Sequence, residues 1–460
     1  MGKRKPRWYL GIDIGGTKIL AALADETGTI AARVRTSTPR SGPPDEVLAA
    51  VAALIDRLLA HEGLRPQRLR AIGIAVPGVV DPKRGHVVVT PNMNLSGVEI
   101  VPWLAGRYHI PVALGNDCNL GTLGEAWLGA ARRARSAFGM FVGTGIGGGF
   151  VRKGKLWRGA REAAGEIGHI VMQPHGGYRC GCGNTGCLET LASRSAIENQ
   201  IRAAVAAGRS TLLADILQGD LQIIRSRALR QALDAQDPLT CEVIRQAAEI
   251  LGRACLTIRH LLDPERIVLG GGLVEACSGF IMPIVEEVVA GDRLPGAGPG
   301  GQVFLSALGD DAVVLGAVAL ARMAIGRSPF QKKYDIAPGY PKLALRKDGA
   351  LAARGKIHRC DVVITADATL QKRKKKYLGT ADGSSPVTVQ ELEELCSGGP
   401  EVFFLGTGSL DTVCLSDEAQ QFLRRRGITL CARPTPQAVA AYNRCNKRRA
   451  ALLLSPGVAQ

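Results

Sequence analysis

Aromatic side chains are scarce in this 460-residue chain: 4 Trp, 7 Tyr and 9 Phe make up only 4% of it. Its short basic runs, Lys3–Lys5, Lys372–Lys376, Arg424–Arg426 and Lys447–Arg449, carry no interleaved aromatics on which bases could stack. They read as solvated faces rather than as a DNA-binding surface. No stretch of about eighteen apolar residues occurs, so no membrane-spanning helix is expected. Met1–Arg7 is basic but runs straight into a strand-like segment, without the cleavage region of a secretory signal. The 12 cysteines are scattered apart from one cluster, which argues for a reducing cytosol. Glycine, by contrast, is plentiful at 57 residues, and the formal charge is +17. Residues 331–460 hold 21 of the 58 basic and 12 of the 41 acidic residues, so this shorter tail carries +9 of the net charge.

A chain of this length has room for two to four domains of about 100–200 residues each. Tyr9–Ile14 and Ile19–Ala24 read as a hairpin around glycines, and Pro43–His61 as an amphipathic helix. Short buried strands follow at Ala71–Val76, Pro111–Leu114, Phe138–Val142 and Arg266–Leu269. Helical spacing marks Leu120–Gly129, Arg194–Ala207, Leu212–Leu217, Pro238–Leu262 and Ala312–Ala324. Strands alternating with helices predict an α/β architecture. The two halves of this region show no sequence repeat. Pro329–Pro341, rich in proline and polar residues, reads as a linker within 327–341. Beyond it come a hairpin at Leu343–Ile364 turning at Arg354-Gly355, helices at Val387–Leu395, Asp417–Arg426 and Pro436–Asn446, and strands at Glu401–Leu405, Ile428–Ala432 and Arg449–Leu454. These are enough for a separate α/β module.

Asp13-Ile14-Gly15-Gly16-Thr17-Lys18 stands at a strand end. Glycines there let backbone N–H groups reach phosphate oxygens, while Thr17 offers a hydroxyl and Lys18 a cation. Asp13 suits a Mg²⁺ ion, which prefers carboxylate and retained water. An ordinary glycine hairpin is the competing reading. Gly143-Thr144-Gly145-Ile146-Gly147-Gly148-Gly149 also follows a strand, but lacks both the P-loop Lys-Ser/Thr and a dinucleotide fingerprint. Gly270-Gly271-Gly272 forms a third run. Separate glycine loops suit a nucleotide held in a cleft between lobes. Asn116-Asp117 could place a proton acceptor, although such a pair alone is more often a turn or helix cap. Glu166-Ile167-Gly168-His169 puts a carboxylate and an imidazole within reach of one ligand. His169, Cys180, Cys182 and Cys187 have the spacing of a closed tetrahedral zinc site, and a Cys-x-Cys pair makes a poor disulfide. With zinc on one ring nitrogen, His169 could offer the other to a ligand, so metal loss is expected to weaken ligand binding.

Residues 8–326 resemble, motif by motif and in order, the repressor/open-reading-frame/kinase (ROK) family of sugar kinases. The resemblance implies a two-lobed actin-like ATPase fold, with residues 1–118 and 311–326 in one lobe and 119–310, including the zinc knuckle 169–187, in the other. It implies ATP and Mg²⁺ at Asp13, Gly15, Gly16, Thr17, Lys18, Gly143, Thr144, Gly145, Gly147, Gly271 and Gly272, with Zn²⁺ on His169, Cys180, Cys182 and Cys187. It implies a hexose at Gly78, Asn92, Asn116, Asp117, Glu166, His169 and Glu189, with Asp117 as the catalytic base. Glucose is the first substrate suggested, with N-acetylated hexosamines and mannose as alternatives. Polyphosphate is an alternative donor. Family repressors carry an N-terminal helix-turn-helix, for which the eight residues before the first strand leave no room, so an enzyme is expected over a sugar sensor. A cytoplasmic homo-oligomer, dimer or tetramer, is expected by analogy. Residues 342–457 resemble the small α/β domain of a mitochondrial complex I assembly factor and of uncharacterised bacterial and archaeal proteins, through Cys360–Ile364, Phe404–Gly408, Leu415-Ser416, Leu423, Gly427-Ile428 and Ala438–Asn443. The resemblance carries no established reaction; an interaction or assembly module with a protein partner is expected for 342–460, with a second catalytic unit acting on the sugar phosphate as the alternative. Gly406-Thr407-Gly408 could be a small anion site or a simple strand-to-loop turn.

Overall fold

The computed structural model describes residues 7–39, 41–91, 93–294, 301–330, 340–346, 348–366, 368–377, 387–396, 399–408, 415–445 and 449–454. The chain divides into two compact units, residues 1–331 and 332–460. Most of the expected linker, 331–339, lies outside the described residues.

The first unit contains one sheet design twice. Strands β1 (Trp8–Ile14), β2 (Lys18–Ala24) and β3 (Ile30–Ser37) form an antiparallel meander. β4 (Leu69–Val76) then pairs parallel to β1, a small hairpin β5 (Val79–Asp81) and β6 (His86–Val89) follows, and β7 (Val112–Asn116) pairs parallel to β4. The order is β3-β2-β1-β4-β7. The second sheet repeats this with β8 (Ser136–Val142), β9 (Ile146–Arg152), β10 (Lys155–Leu156), β11 (Arg266–Gly270) and β12 (Gln302–Leu305), in the order β10-β9-β8-β11-β12. The repeat is invisible in the residues because a buried strand requires an apolar run rather than a particular one.

The helices are α1 (Pro44–His61), α2 (Ile100–Tyr108), α3 (Asp117–Trp127), α4 (Leu188–Ala192), α5 (Arg194–Ala206), α6 (Leu213–Ile216), α7 (Ser226–Asp234), α8 (Pro238–Leu262), α9 (Gly272–Ala276), α10 (Ser278–Ala290) and α11 (Asp311–Ala324). α1 starts as its sequence predicts, with proline in the first turn and Asp45 and Glu46 beside the positive end of its dipole. α8 starts at Asp237, whose side chain accepts from Thr240 N, and stops at Asp263 in the left-handed conformation. One core packs α1 against the first sheet, through Val51, Ile55, Leu10 and Ile72. Another packs α8 and α10 against the second, through Ile244, Leu251, Val285 and Ile267.

α11 follows the second sheet in sequence but lies on the first. A Cβ on Gly73 of β4 would fall 1.9 Å from Ala317 O, and one on Gly316 of α11 would fall 1.7 Å from Leu120 O of α3. Only glycine lets α11 touch both β4 and α3 at backbone distance. α3 in turn packs on the second sheet, where Asn119 Cα would lie 2.9 Å from a Cβ on Gly149. The pair α3 and α11 thus joins the two sheets.

The second unit has a small meander, β13 (Leu343–Leu345), β14 (Leu351–Ala353) and β15 (Lys356–His358). Its main sheet takes β16 (Val362–Ile364), β17 (Leu370–Lys372), β18 (Val402–Gly406), β19 (Thr429–Arg433) and β20 (Arg449–Leu453), in the order β17-β16-β20-β18-β19. Helices α12 (Val389–Leu395), α13 (Asp417–Arg425) and α14 (Thr435–Arg444) complete it. Alternate residues of β18 serve two cores: Phe403 and Leu405 join Leu392 and Leu423, while Phe404 joins Tyr442 and Ala438. Arg354 and Gly355 make the expected tight turn, at φ 50° and 75°. Gly406-Thr407-Gly408 is the strand-to-loop turn of the two readings. Thr407 N donates to Arg433 O at 3.0 Å and Gly408 N to Thr435 Oγ1 at 3.0 Å, so these donors are already used.

Candidate active site

The glycine turns and the Asn-Asp pair all lie at the carboxyl ends of parallel strands: Gly15–Thr17 after β1, Pro77-Gly78 after β4, Asp117 after β7, Gly143–Gly145 after β8 and Gly271-Gly272 after β11. Open α/β sheets bind ligands at this edge, because the loops there are free to differ.

The first turn is tight. Gly15 N donates to Lys18 O at 2.9 Å, and Thr38 Oγ1 donates to Gly15 O at 2.6 Å. Asp13 is the penultimate residue of β1, just before it. Burial first, then the charge of Asp117, pushes Asp13 up to about 7, against the pull of Lys18. Asp117 opens α3. Burial raises its carboxyl above the usual range, although Cys118 N donates to its Oδ1 at 2.8 Å. Asn116 is the N-cap of α3: its Oδ1 accepts from Asn119 N at 3.0 Å, and its Nδ2 donates to Gly78 O at 3.1 Å. The amide therefore ties Gly78 to the base of Asp117. Asn92 lies outside the described residues.

Glu166 precedes and His169 ends a single 3-10 turn, Ile167–His169. Gly168 in that turn would bring a Cβ within 2.0 Å of Ile146 O, which seats the turn against β9. Glu166 is raised by burial and by the charges of Asp117 and Glu189, and lowered by His169. Asp117 thus lies within electrostatic reach of both Asp13 and Glu166. Glu189, in α4, accepts from Ile146 N at 2.8 Å through Oε2, while its Oε1 lies 3.9 Å from Cys180 Sγ. It connects the cysteine loop to the Gly143–Gly145 turn. Glu162, one turn upstream of Glu166 if helical, is in a loop at φ 58° and pairs with Arg158 at 3.6 Å.

The glycine run after β8 is shorter as a loop than the sequence suggested. Only Gly143–Gly145 turn; Gly147, Gly148 and Gly149 belong to β9. A Cβ on Gly147 would meet Cys118 Sγ at 2.5 Å, so this residue lets β9 approach the start of α3. Gly143 and Gly272 face open space, and Gly271, at φ 89°, donates its N–H to Glu275 Oε1 at 3.1 Å.

His169, Cys180, Cys182 and Cys187 converge, with all four ligand atoms within 4.8 Å of one another. Cys182 Sγ and Cys187 Sγ are 3.7 Å apart, and Cys180 Sγ is 3.5 Å from His169 Nδ1. Tetrahedral zinc with bonds of about 2.3 Å to sulfur and about 2.0 Å to nitrogen has edges of about 3.8 and 3.5 Å. The donor set and spacing fit that ion. His169 Nε2 faces the other way, 4.0 Å from Glu166 Oε2.

Sequence reasoning missed Asp310, which holds Lys18 Nζ at 2.7 Å, and Arg194, whose Nη2 donates to Thr144 Oγ1 at 2.8 Å. It also missed Glu125, a buried acid in an otherwise apolar helix stretch. That isolation was its one visible signal.

Two sheets of one strand order, with glycine turns at the carboxyl ends of their parallel strands, are those of the actin-like ATPase fold, here in its sugar-kinase form. The chain belongs to the ROK family, whose sequence model matches residues 9–324. A second model, described as a protein of unknown function (DUF498/DUF598), matches residues 345–454. A glucokinase of Halalkalibacterium halodurans is 33% identical over 67% of this chain and 93% of its own. Among solved structures, a ROK hexokinase from Thermus thermophilus is 33% identical with a TM-score of 0.58, over 69% of this chain and 99% of that one. A ROK glucokinase from Streptomyces griseus, solved with glucose and AMPPNP, is 31% identical with a TM-score of 0.60, over the same shares, 69% and 99%.

Proposed function

We propose that the first unit transfers the γ-phosphate of ATP to a hydroxyl of a hexose, glucose first among them. The observation that carries this reading is the position of Asp117, whose charge acts on both Asp13 and Glu166. A single carboxylate stands between a phosphate turn and a sugar-sized set of acids.

Glu166, His169 and Glu189 orient the sugar, the two carboxylates accepting from hydroxyls and the imidazole donating through Nε2–H. Asp117 accepts the proton of the attacking hydroxyl, a step general-base help speeds about 10²–10⁴-fold. Burial raises its carboxyl above the usual range, which makes it a stronger proton acceptor. Backbone N–H groups of Gly16, Thr17, Thr144 and Gly145 hold the phosphates, since Gly15 N and Gly143 N close the two turns on Lys18 O and Gly145 O, and Asp13 receives the Mg²⁺ that comes with the nucleotide. Zn²⁺ on the three cysteines and His169 Nδ1 would supply structure alone, fixing the imidazole so that Nε2–H faces the sugar. We assign residues 1–118 with 311–326 to one lobe and 119–310 to the other, supported by the seating of α11 on β4. Closure of the lobes excludes water and so limits ATP hydrolysis.

The second unit is proposed as an interaction module for a protein partner, since its GTG turn spends its donors internally. The test is ADP formation by the full chain with a panel of glucose, mannose and N-acetylhexosamines, using ATP and polyphosphate as donors. Turnover with glucose and ATP supports the reading. Sugar binding without turnover on any of them would make the protein a sensor instead.

A further inference from the structure

The Lys18 side chain is already paired within the protein. Its Nζ reaches Asp310 Oδ2 at 2.7 Å, from the first residue of β2 to the connection between β12 and α11. Asp310 stands at the N-cap of α11, where an aspartate ordinarily accepts from the helix's first N–H groups. Its side chain makes no such cap bond. The carboxylate is spent on the lysine instead.

The perch that presents Asp310 is itself built. Glu125 is fully buried, and its Oε1 accepts from Ser306 Oγ at 2.7 Å, Ala307 N at 3.0 Å and Leu308 N at 2.9 Å, while Oε2 accepts from Ala130 N at 2.6 Å. The backbone leading to Asp310 is therefore anchored to α3. The ion pair at its tip is loose by comparison, with side chains 41% and 76% exposed. Such a pair adds little to folding and exchanges readily with another anion. Asp13 and Glu275 lie close enough to feel both partners, so Lys18 is a cation set among acids.

We propose that Asp310 is the exchangeable counter-ion of Lys18, holding the lysine beside the Gly15–Gly16 turn until the nucleotide's phosphates displace it. This rests on the kinase reading and deepens it: Asp310 is a positioning residue that tunes affinity for ATP. A polyphosphate arriving at Gly15 carries more charge than one carboxylate and wins the lysine. Asp310, now facing like charge, is released, so every nucleotide bound works against the pair.

The test is calorimetric binding of Mg·AMPPNP to the full chain, with KM for ATP and for sugar, in Asp310→Asn, Asp310→Ser, Lys18→Met and the Lys18→Met/Asp310→Asn double variant. Either Asp310 variant is expected to tighten nucleotide binding about two- to fivefold, the span an exposed pair commands. KM for sugar should not follow, and the gain should vanish in the Lys18→Met background. Weaker nucleotide binding in Asp310→Asn would overturn the proposal and make this carboxylate a metal holder. Unchanged binding, or equal tightening without Lys18, overturns it as well. Failure of the unmodified chain to bind nucleotide would instead sink the kinase reading.

Discussion

Replacing Cys182 by serine should remove the metal and, through His169, most of the hold on the sugar. Cys182 is the right ligand to change because it is exposed, whereas Cys180 and Cys187 are buried and their loss would also disturb packing. His169 has two faces: Nδ1 lies 3.5 Å from Cys180 Sγ, and Nε2 lies 4.0 Å from Glu166 Oε2. A metal on Nδ1 forces the remaining proton onto Nε2, where a sugar hydroxyl can accept it. Without metal the ring samples both tautomers and several rotamers. The loss is one hydrogen bond, about 1 kcal/mol, and the ordering of the ring, about 1 kcal/mol more. Together about 2 kcal/mol corresponds to a rise of about 30-fold in KM for the sugar. Coupled ADP release gives the two KM values, and atomic emission gives the zinc content. KM for ATP should move far less, because His169 does not touch the phosphate turns. A zinc-free Cys182→Ser protein with parental KM for sugar would refute the coupling.

Asp117→Asn should lower kcat by about 10²–10⁴-fold while calorimetric sugar binding stays close to parental; a loss of less than tenfold would remove Asp117 from the chemistry. Burial raises Asp13 from 3.8 to about 7, so folding takes up a proton in that window and this group costs stability as pH rises through it. Thermal melts of Asp13→Asn should therefore show a shallower decline from about pH 4 to pH 8 than the parent. For the same reason Mg–nucleotide, which neutralises this carboxylate, should raise the parental Tm more above pH 7 than below pH 5. Gly316→Ala would put a Cβ 1.7 Å from Leu120 O. It should cost about 1–3 kcal/mol in thermal or urea unfolding and lower kcat too, because α3 carries Asp117 at its start.

The local chemistry of the site was legible wherever a residue type has few other uses. Three cysteines and a histidine at that spacing have one economical reading, and the ligand atoms do meet within 4.8 Å. Helices announced themselves through period and caps: α8 begins at Asp237-Pro238, and α1 begins with proline and two acids. The short hairpin β5–β6, the helix α2 and the strand β3 were not legible. β3 alternates half-buried with exposed positions and buries none of its residues, so its pattern is faint. The run Gly147–Gly149 was misread as loop because glycine in a strand looks like a turn until the helix that crosses it is known.

The sequence by itself determined the family, the strongly patterned strands and helices, and which side chains could hold metal, phosphate or sugar, because those are properties of residue types and short spacings. Only the tertiary structure decided which of them come together. Asp310 meets Lys18, and Glu125 anchors the backbone at 306–308, because α11 returns to the first sheet and lies against α3. Contacts made across nearly three hundred residues depend on how whole helices pack, and no local pattern records that.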